Sequence, residues 1–229
     1  MKRHIITTAD GSKTIQIEEW NEQYHSVHGA IQEAYHVFIK HGLHHFNETY
    51  TNLKQPVSVL EIGFGTGLNA FITLLEAEQL HINIDYVGVE AYPVTRDEIQ
   101  ELNYPTALKA DNKTDIFERL HTVIWGNKTE ISMGFELTKQ QKTFFEIDDK
   151  NTFDIIYFDA FGARVQPELW TEAIFQKMYD ALKVNGVLVT YSAKGSVRRA
   201  MQAVGFKVEK LQGPPGKREM LRATKHSTT

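Results

Sequence analysis

From residue 57 onward the chain alternates between short apolar blocks and longer stretches of helical period. Apolar runs at 57–62, 84–90, 130–137, 153–158 and 186–191 predict strands. Between and after them, patterns repeating every three to four residues predict helices over 67–79, 94–102, 113–120, 167–182 and 194–203. Repeated strand–helix units imply an α/β fold with a mostly parallel sheet covered on both faces. The ending departs from that rhythm. Strands at 206–210 and 219–224 are joined by Gly213-Pro214-Pro215-Gly216, too short for a parallel crossover, so they are expected to pair antiparallel. Ahead of the repeat, 4–8 and 14–18 flank an Asp10-Gly11 turn and predict a hairpin. A polar and aromatic stretch, Trp20 to Gly29, follows, and then a helix over 30–46. Residues 1–55 therefore read as an N-terminal extension on the substrate side and 56–229 as the core, with only 226–229 expected to fray.

The first core strand runs into Gly63-Phe64-Gly65-Thr66-Gly67 and then a helix. Strand, glycine turn and helix open a nucleotide-binding unit: the glycines admit a close ligand, and the helix start offers free N–H groups. A dinucleotide fingerprint needs its third glycine at position 68, which is Leu68. The alternating glycines, with Glu61 two residues before them, fit S-adenosylmethionine (SAM) better, with the Glu61 carboxylate meeting the cationic aminoacyl end. The second strand ends in Glu90, 27 residues after Gly63, where a carboxylate holds ribose hydroxyls; the competing reading is a helix cap. Asp159 ends the fourth core strand, where open α/β sheets bind ligands, and is the candidate to bind an amine and accept or relay its proton. A capping role is its alternative, and Asp154, at the start of the same strand, reads as solvated or capping.

Tyr24, Phe161, Tyr191 and Trp170 are candidates to stack a planar base. Trp170 also continues a helical apolar stripe with Ile174, Phe175, Met178 and Leu182, which points to core. His25 and Ser26 read as polar groups lining the pocket. No H-E-x-x-H pattern accompanies the histidines, so no metal site is expected; His44 and His45 are placed at a helix end, where an imidazolium suits the dipole.

Composition is that of an ordinary globular protein, 41% hydrophobic and 24% charged. There is no cysteine, which excludes disulfides and thiolate chemistry. The first residues lack a signal-peptide run and no stretch reaches transmembrane length, so a cytoplasmic location is expected. The net charge of −4 is unevenly spread. Residues 194–225 hold nine basic and two acidic side chains, hence +7, leaving −11 for the rest. A basic face of this kind suits a phosphate-bearing partner, or is simply a solvated surface. Arg198 and Arg199 in the first turns of a helix oppose its dipole, which an acidic partner would relieve.

These residues resemble a known family, the methyltransferase portion of the bifunctional tRNA 5-methylaminomethyl-2-thiouridine biosynthesis proteins, here as a stand-alone chain. The likeness runs through Glu61-x-Gly63-Phe64-Gly65-Thr66-Gly67-Leu68-Asn69, Val89-Glu90-Ala91-Tyr92-Pro93, Phe158-Asp159-Ala160-Phe161 and Pro167-x-x-Trp170-Thr171. It continues in Thr190-Tyr191-Ser192, Val197-Arg198-Arg199, Gly205-Phe206 and Lys217-Arg218-Glu219-Met220-Leu221, with Tyr24-His25-Ser26, Gly29-Ala30, Glu33 and 36–39 on the substrate side. The resemblance implies a Rossmann-like class I SAM-dependent methyltransferase with a C-terminal antiparallel hairpin. It implies methylation of the 5-aminomethyl-2-thiouridine amine at the tRNA wobble position, with the tRNA anticodon loop as partner and a separate enzyme generating the aminomethyl group. Asp159 would be catalytic. Glu61, Gly63, Phe64, Gly65, Thr66, Gly67, Asn69, Glu90, Ala91 and Asp159 would hold the cofactor. Tyr24, His25, Ser26, Phe161, Tyr191, Lys194, Arg198, Arg199, Lys217 and Arg218 would hold the substrate. Two places depart from the family: the loop 162–166 lacks its usual proline, and Thr143 stands where an acid near the adenine is usual. Other readings are a SAM-dependent methyltransferase of a small amine, a dinucleotide-dependent oxidoreductase and a non-catalytic SAM or RNA binder.

Overall fold

A computed structural model describes residues 2–50 and 56–227. The expected boundary at 55/56 falls beside 51–55, and the end of the expected frayed tail at 228–229; both stretches lie outside the described residues.

The N-terminal segment forms a three-stranded sheet of β1 (Arg3–Thr7), β2 (Lys13–Ile17) and β3 (Glu22–Gln23). Its Asp10-Gly11 turn has a second use. Helix α1 (Ala30–Ala34) starts after Gly29, which has no side chain with which to cap it. Asp10 supplies the cap from a distance: its Oδ2 accepts from Gln32 N at 3.0 Å, and Thr8 Oγ1 accepts from Ala30 N at 3.3 Å. The helix then continues through a π-helical stretch, Tyr35–His44, into α2 (His45–Thr49). At Gly42 a Cβ would come within 3.1 Å of both Tyr157 and Val189, so glycine lets this helix lie flat against the central sheet. Because the helix runs on to Thr49, His44 and His45 are internal rather than terminal. His44 Nε2 instead pairs with Glu76 Oε2 at 2.7 Å, and burial lowers the pKa of His45.

The core follows in chain order: β4 (Val57–Ile62), α3 (Leu68–Leu80), β5 (Ile84–Val89), α4 (Arg96–Glu101), α5 (Tyr104–Ala107), α6 (Thr114–Thr122), β6 (Lys128–Ser132), β7 (Phe135–Gln140), β8 (Phe153–Phe158), α7 (Glu172–Ala181), β9 (Leu182–Thr190), α8 (Gly195–Ala203), β10 (Lys207–Gln212) and β11 (Glu219–Thr224). The eight strands order as β10-β11-β9-β8-β4-β5-β7-β6. Strands β7, β5, β4, β8 and β9 are parallel, and β11 joins β9 antiparallel and closes a hairpin with β10, as the short connection predicts.

One strand prediction fails. The run 130–137 is two antiparallel strands, β6 and β7, because Gly134 at φ 81° reverses the chain inside it. The expected helix over 167–182 also divides, into a 3₁₀ turn at Pro167–Trp170 and α7.

Alternation along the strands separates two cores. Val59, Tyr86, Tyr157 and Val189 face the side covered by the π-helical segment, α3 and α6; Leu60, Ile156, Phe158 and Leu188 face α7 and α8. The chain passes from β4 to β5 on one side and later returns to β8 on the other, so β4 marks the switch point where such sheets open a crevice at their carboxyl ends. Among the described residues no helix is long and apolar enough to cross a membrane.

Candidate active site

A cavity of about 590 Å³ opens over the carboxyl ends of β4, β5 and β8. Its floor is the glycine turn. Gly63 has φ +91°, and a Cβ there would lie 2.7 Å from the Asp159 carbonyl oxygen, so only glycine lets the ends of β4 and β8 approach. Gly65, at φ +46°, would place a Cβ 3.0 Å from the Tyr24 ring. Glu90 braces the turn: its Oε2 accepts from Gly65 N at 3.0 Å and its Oε1 from Tyr92 N at 2.9 Å. Phe64, Thr66, Ala91 and Thr143 complete this end of the wall, with Tyr92 and Phe145 exposed at its mouth. Behind Phe64 lies Lys139, a buried lysine that donates to His121 O, stacks 4.8 Å from Trp125 and is pushed by burial down to about 8.

Asp159 stands where the sequence places it, at the end of β8 and on the cavity wall. Desolvation first, and then the charge of Glu33, push its carboxyl up to about 7, opposed by a hydrogen bond from Asn69 and by the nearby Lys217. A carboxylate at this value exchanges a proton near neutrality, which suits acid–base work.

Three cofactor-side residues lie beneath the cavity rather than on its wall. Glu61 points to the buried face of β4, is 1% exposed, and accepts from Asn69 Nδ2 at 2.9 Å and Tyr86 OH at 2.9 Å. Burial raises its carboxyl well above the usual carboxylate range, opposed by the hydrogen bonds from Asn69 and Tyr86. Glu61, expected to meet the cofactor's aminoacyl end, thus lies off the cavity wall and holds Asn69. The same Asn69 Nδ2 reaches Asp159 Oδ2 at 2.8 Å, so one amide ties the two carboxyl groups together. Gly67 caps α3 at φ 71°, in a place where a Cβ would meet His121.

The opposite wall comes from the N-terminal segment. Tyr24 sets its ring against Gly65, and His25 Nε2 lies 2.7 Å from Thr66 Oγ1, which also accepts from Tyr104 OH. Burial lowers His25 to about 4, so a neutral ring ties this wall to the turn. Ser26 lines the cavity, but its hydroxyl accepts from His28 N. Tyr24 and Trp20 both present edges to Phe161, with centroids 5.0 and 5.5 Å away. Trp170 is 5% exposed and donates from Nε1 to Phe161 O, so it supports the cluster from the core instead of stacking a base. Tyr191 lines the cavity and donates to Ala160 O at 2.8 Å.

Of the basic residues expected on the substrate side, only Lys217 lines the cavity; Lys194, Arg198, Arg199 and Arg218 lie outside it. Several bases of this segment have partners: inside it Lys210 pairs with Glu219 and Arg222 with Glu209, while Lys217 pairs with Glu33 of α1 and Lys225 donates to Leu182 O. Asp154 is likewise engaged, accepting from Ser58 N and Lys183 Nζ. Arg3, Trp20 and Phe145 line the cavity without having been expected there. For Trp20 the signal was present, in its closeness to Tyr24 within one aromatic stretch. Arg3 reaches the site because the hairpin lies against the segment that follows β5, its guanidinium meeting Glu98 and Tyr92 O.

Residues 116–226 match the model of a family described as S-adenosyl-L-methionine-dependent methyltransferase. The bifunctional tRNA 5-methylaminomethyl-2-thiouridine biosynthesis protein of Actinobacillus pleuropneumoniae serotype 5b is 27% identical over 228 residues, covering 89% of this chain and 32% of its own length. That of Leptospira borgpetersenii is 27% identical over 214 residues with the same coverages. The chain thus spans about a third of the length of these curated relatives. A solved structure described as MNMC2 from Aquifex aeolicus superposes with a TM-score of 0.80 at 24% identity, covering 99% of this chain and 71% of that one. Spermidine synthase from Thermotoga maritima shares the fold, with a TM-score of 0.59 at 16% identity.

The residues present fit SAM. Gly63 and Gly65 line the cavity without side chains of their own, the Glu90 carboxylate lines it with lone pairs to spare, and the volume suits a cofactor-sized molecule. The chain has the Rossmann-like fold of class I SAM-dependent methyltransferases and, over 89% of its length, resembles the methyltransferase portion of the bifunctional tRNA 5-methylaminomethyl-2-thiouridine biosynthesis proteins.

Proposed function

We propose that this chain methylates the primary amine of 5-aminomethyl-2-thiouridine at the wobble position of tRNA, producing 5-methylaminomethyl-2-thiouridine. One observation carries the reading beyond the likeness to relatives: a carboxyl raised to about 7, Asp159, sits on the same cavity wall as the glycine turn and Glu90. Gly63, Phe64, Gly65, Thr66, Glu90, Ala91 and Thr143 would hold SAM, with Phe145 and Tyr92 at the adenine end. Bound SAM supplies an electrophilic methyl group on a sulfonium. An amine attacks only with a free lone pair, so an ammonium acceptor first gives up a proton, and Asp159 in its carboxylate form takes it. Asn69 Nδ2 fixes the receiving carboxylate through Oδ2, which leaves Oδ1 for the acceptor. Tyr24, Trp20 and Phe161 offer aromatic edges and faces to a base swung out of its stack. Lys194, Arg198, Arg199 and Arg218, outside the cavity, would meet phosphates of the anticodon loop. A separate enzyme must generate the aminomethyl group, and a cytoplasmic setting follows from that substrate.

The test is transfer of radiolabelled methyl from SAM to tRNA that already carries the aminomethyl group, with nucleoside analysis. Label in 5-methylaminomethyl-2-thiouridine is the expected result. Label in small amines but never in tRNA would replace this reading with small-amine N-methylation.

A further inference from the structure

Lys217 ends in a primary alkylammonium, and the cavity holds it as a ligand would be held. Its Nζ donates to Glu33 Oε1 at 2.5 Å and stands 3.8 Å from the centroid of the Tyr191 ring. A carboxylate together with an aromatic face is the general means of holding an organic cation. Both partners are fixed by other bonds. Glu33 is 6% exposed and its Oε2 accepts from Ser26 N at 2.9 Å, while the Tyr191 hydroxyl is engaged with Ala160 O. All three groups line the cavity beside Asp159. A lysine meant for phosphate would be free, or would share its place with other cations. This one is neutralised, and Lys194, Arg198, Arg199 and Arg218 lie elsewhere.

We propose that Glu33 and the face of Tyr191 form the subsite for the acceptor's amino group, which Lys217 occupies in the free protein and vacates when the acceptor enters. This rests on the reading of the acceptor as a primary amine. The two sides of the ion pair differ in mobility. Glu33 sits in α1, buried, and cannot follow its partner. Lys217 lies on the β10–β11 turn with its side chain 32% exposed, and its four-carbon stem can carry the head into water without moving the backbone. Its departure would leave a buried carboxylate unpaired, a costly state that a second cation relieves. A hydroxyl acceptor brings no charge, so it leaves Glu33 unpaired and is rejected. Selection for an amine is thereby built into the exchange. From this subsite the acceptor nitrogen stands in the field of Asp159, to which it gives its proton.

The sign of one substitution separates this from an RNA-contact role. With an anticodon stem-loop bearing the aminomethyl group, Lys217→Met is expected to lower KM by roughly 3–10-fold, because the competing cation is gone. Glu33→Gln is expected to raise KM by about tenfold or more, with SAM affinity unchanged. A rise in KM for Lys217→Met, or an unchanged KM for Glu33→Gln, overturns the proposal; if Glu33→Gln does not fold, the sign for Lys217→Met alone decides. Nuclear magnetic resonance gives a readout independent of turnover. Into the protein saturated with S-adenosylhomocysteine, 5-aminomethyluridine or 5-hydroxymethyluridine is titrated while the Lys217 side-chain signal is followed. Displacement by the amine alone supports the subsite even if no tRNA is methylated, in which case only the proposed function falls. Displacement by both nucleosides, or by neither, overturns the subsite.

Discussion

The two walls of the cavity are made differently. The cofactor-side wall consists of the ends of three adjacent parallel strands, and its working parts are backbone groups and glycines: Gly63 against the Asp159 carbonyl, and Gly65 N on Glu90. The facing wall is made of side chains drawn from the two ends of the chain, such as Glu33 and Lys217, which are 184 residues apart in sequence. They are joined by charge and by aromatic edges. They meet the first wall where Tyr24 rests on Gly65 and His25 reaches Thr66. A wall of backbone has one shape and suits an invariant cofactor. A wall of side chains can exchange partners, as an entering acceptor requires.

Substitutions on the two walls should therefore split binding from turnover. The largest effect is expected where the walls meet the chemistry. Asp159→Ala should lower methyl transfer by roughly 10²–10⁴-fold, the range for removing a proton-transfer group, while titration calorimetry finds SAM affinity nearly unchanged. Next comes Gly63→Ala. Its φ of +91° and a Cβ 2.7 Å from a carbonyl oxygen should cost about 1–3 kcal/mol in strain, lowering the melting temperature and weakening SAM about tenfold or more. On the facing wall, Trp20→Ala should raise acceptor KM by roughly 5–10-fold, the lower part of the range for one lost base–aromatic contact, and leave the SAM dissociation constant alone. Loss of SAM binding in Trp20→Ala would erase the distinction between the walls.

How much of each wall was legible in the sequence follows from the same difference. Glycines, Glu90 and Asp159 stand at strand ends, and a strand end is visible in the hydrophobic pattern, so their positions could be read directly. The burial of Glu61 was not legible, because the direction of a side chain in a strand buried on both faces leaves no polar alternation to read. The β6–β7 hairpin is hard to read because only Met133 and Gly134 separate its two strands. On the other wall, the pairing of Glu33 with Lys217 needs the whole sheet to be assembled first. Charge counting saw Lys217 only as one member of a basic segment, whose other members are mostly paired or turned away from the cavity.

The smallest effect concerns pH. Asp159 binds its proton more tightly in the folded protein, at about 7 against 3.8. Its contribution to stability is therefore fully present below pH 3.8 and is lost as pH rises through about 7. Asp159→Asn should accordingly gain melting temperature relative to the wild type between acid and pH 8, and an unchanged difference would contradict the buried, perturbed carboxyl. Activity runs the opposite way: kcat/KM should climb as the pH passes about 7, since only the carboxylate accepts a proton.

The most direct measurement sets the wild type beside Asp159→Asn, both saturated with radiolabelled SAM and given the same aminomethyl-bearing tRNA. The expected result is equal SAM binding by the two proteins, with label appearing in 5-methylaminomethyl-2-thiouridine from the wild type and almost none from the variant. Transfer by Asp159→Asn at the wild-type rate, or label on any other nucleoside, would contradict the assignment of Asp159 to an amine at the wobble uridine.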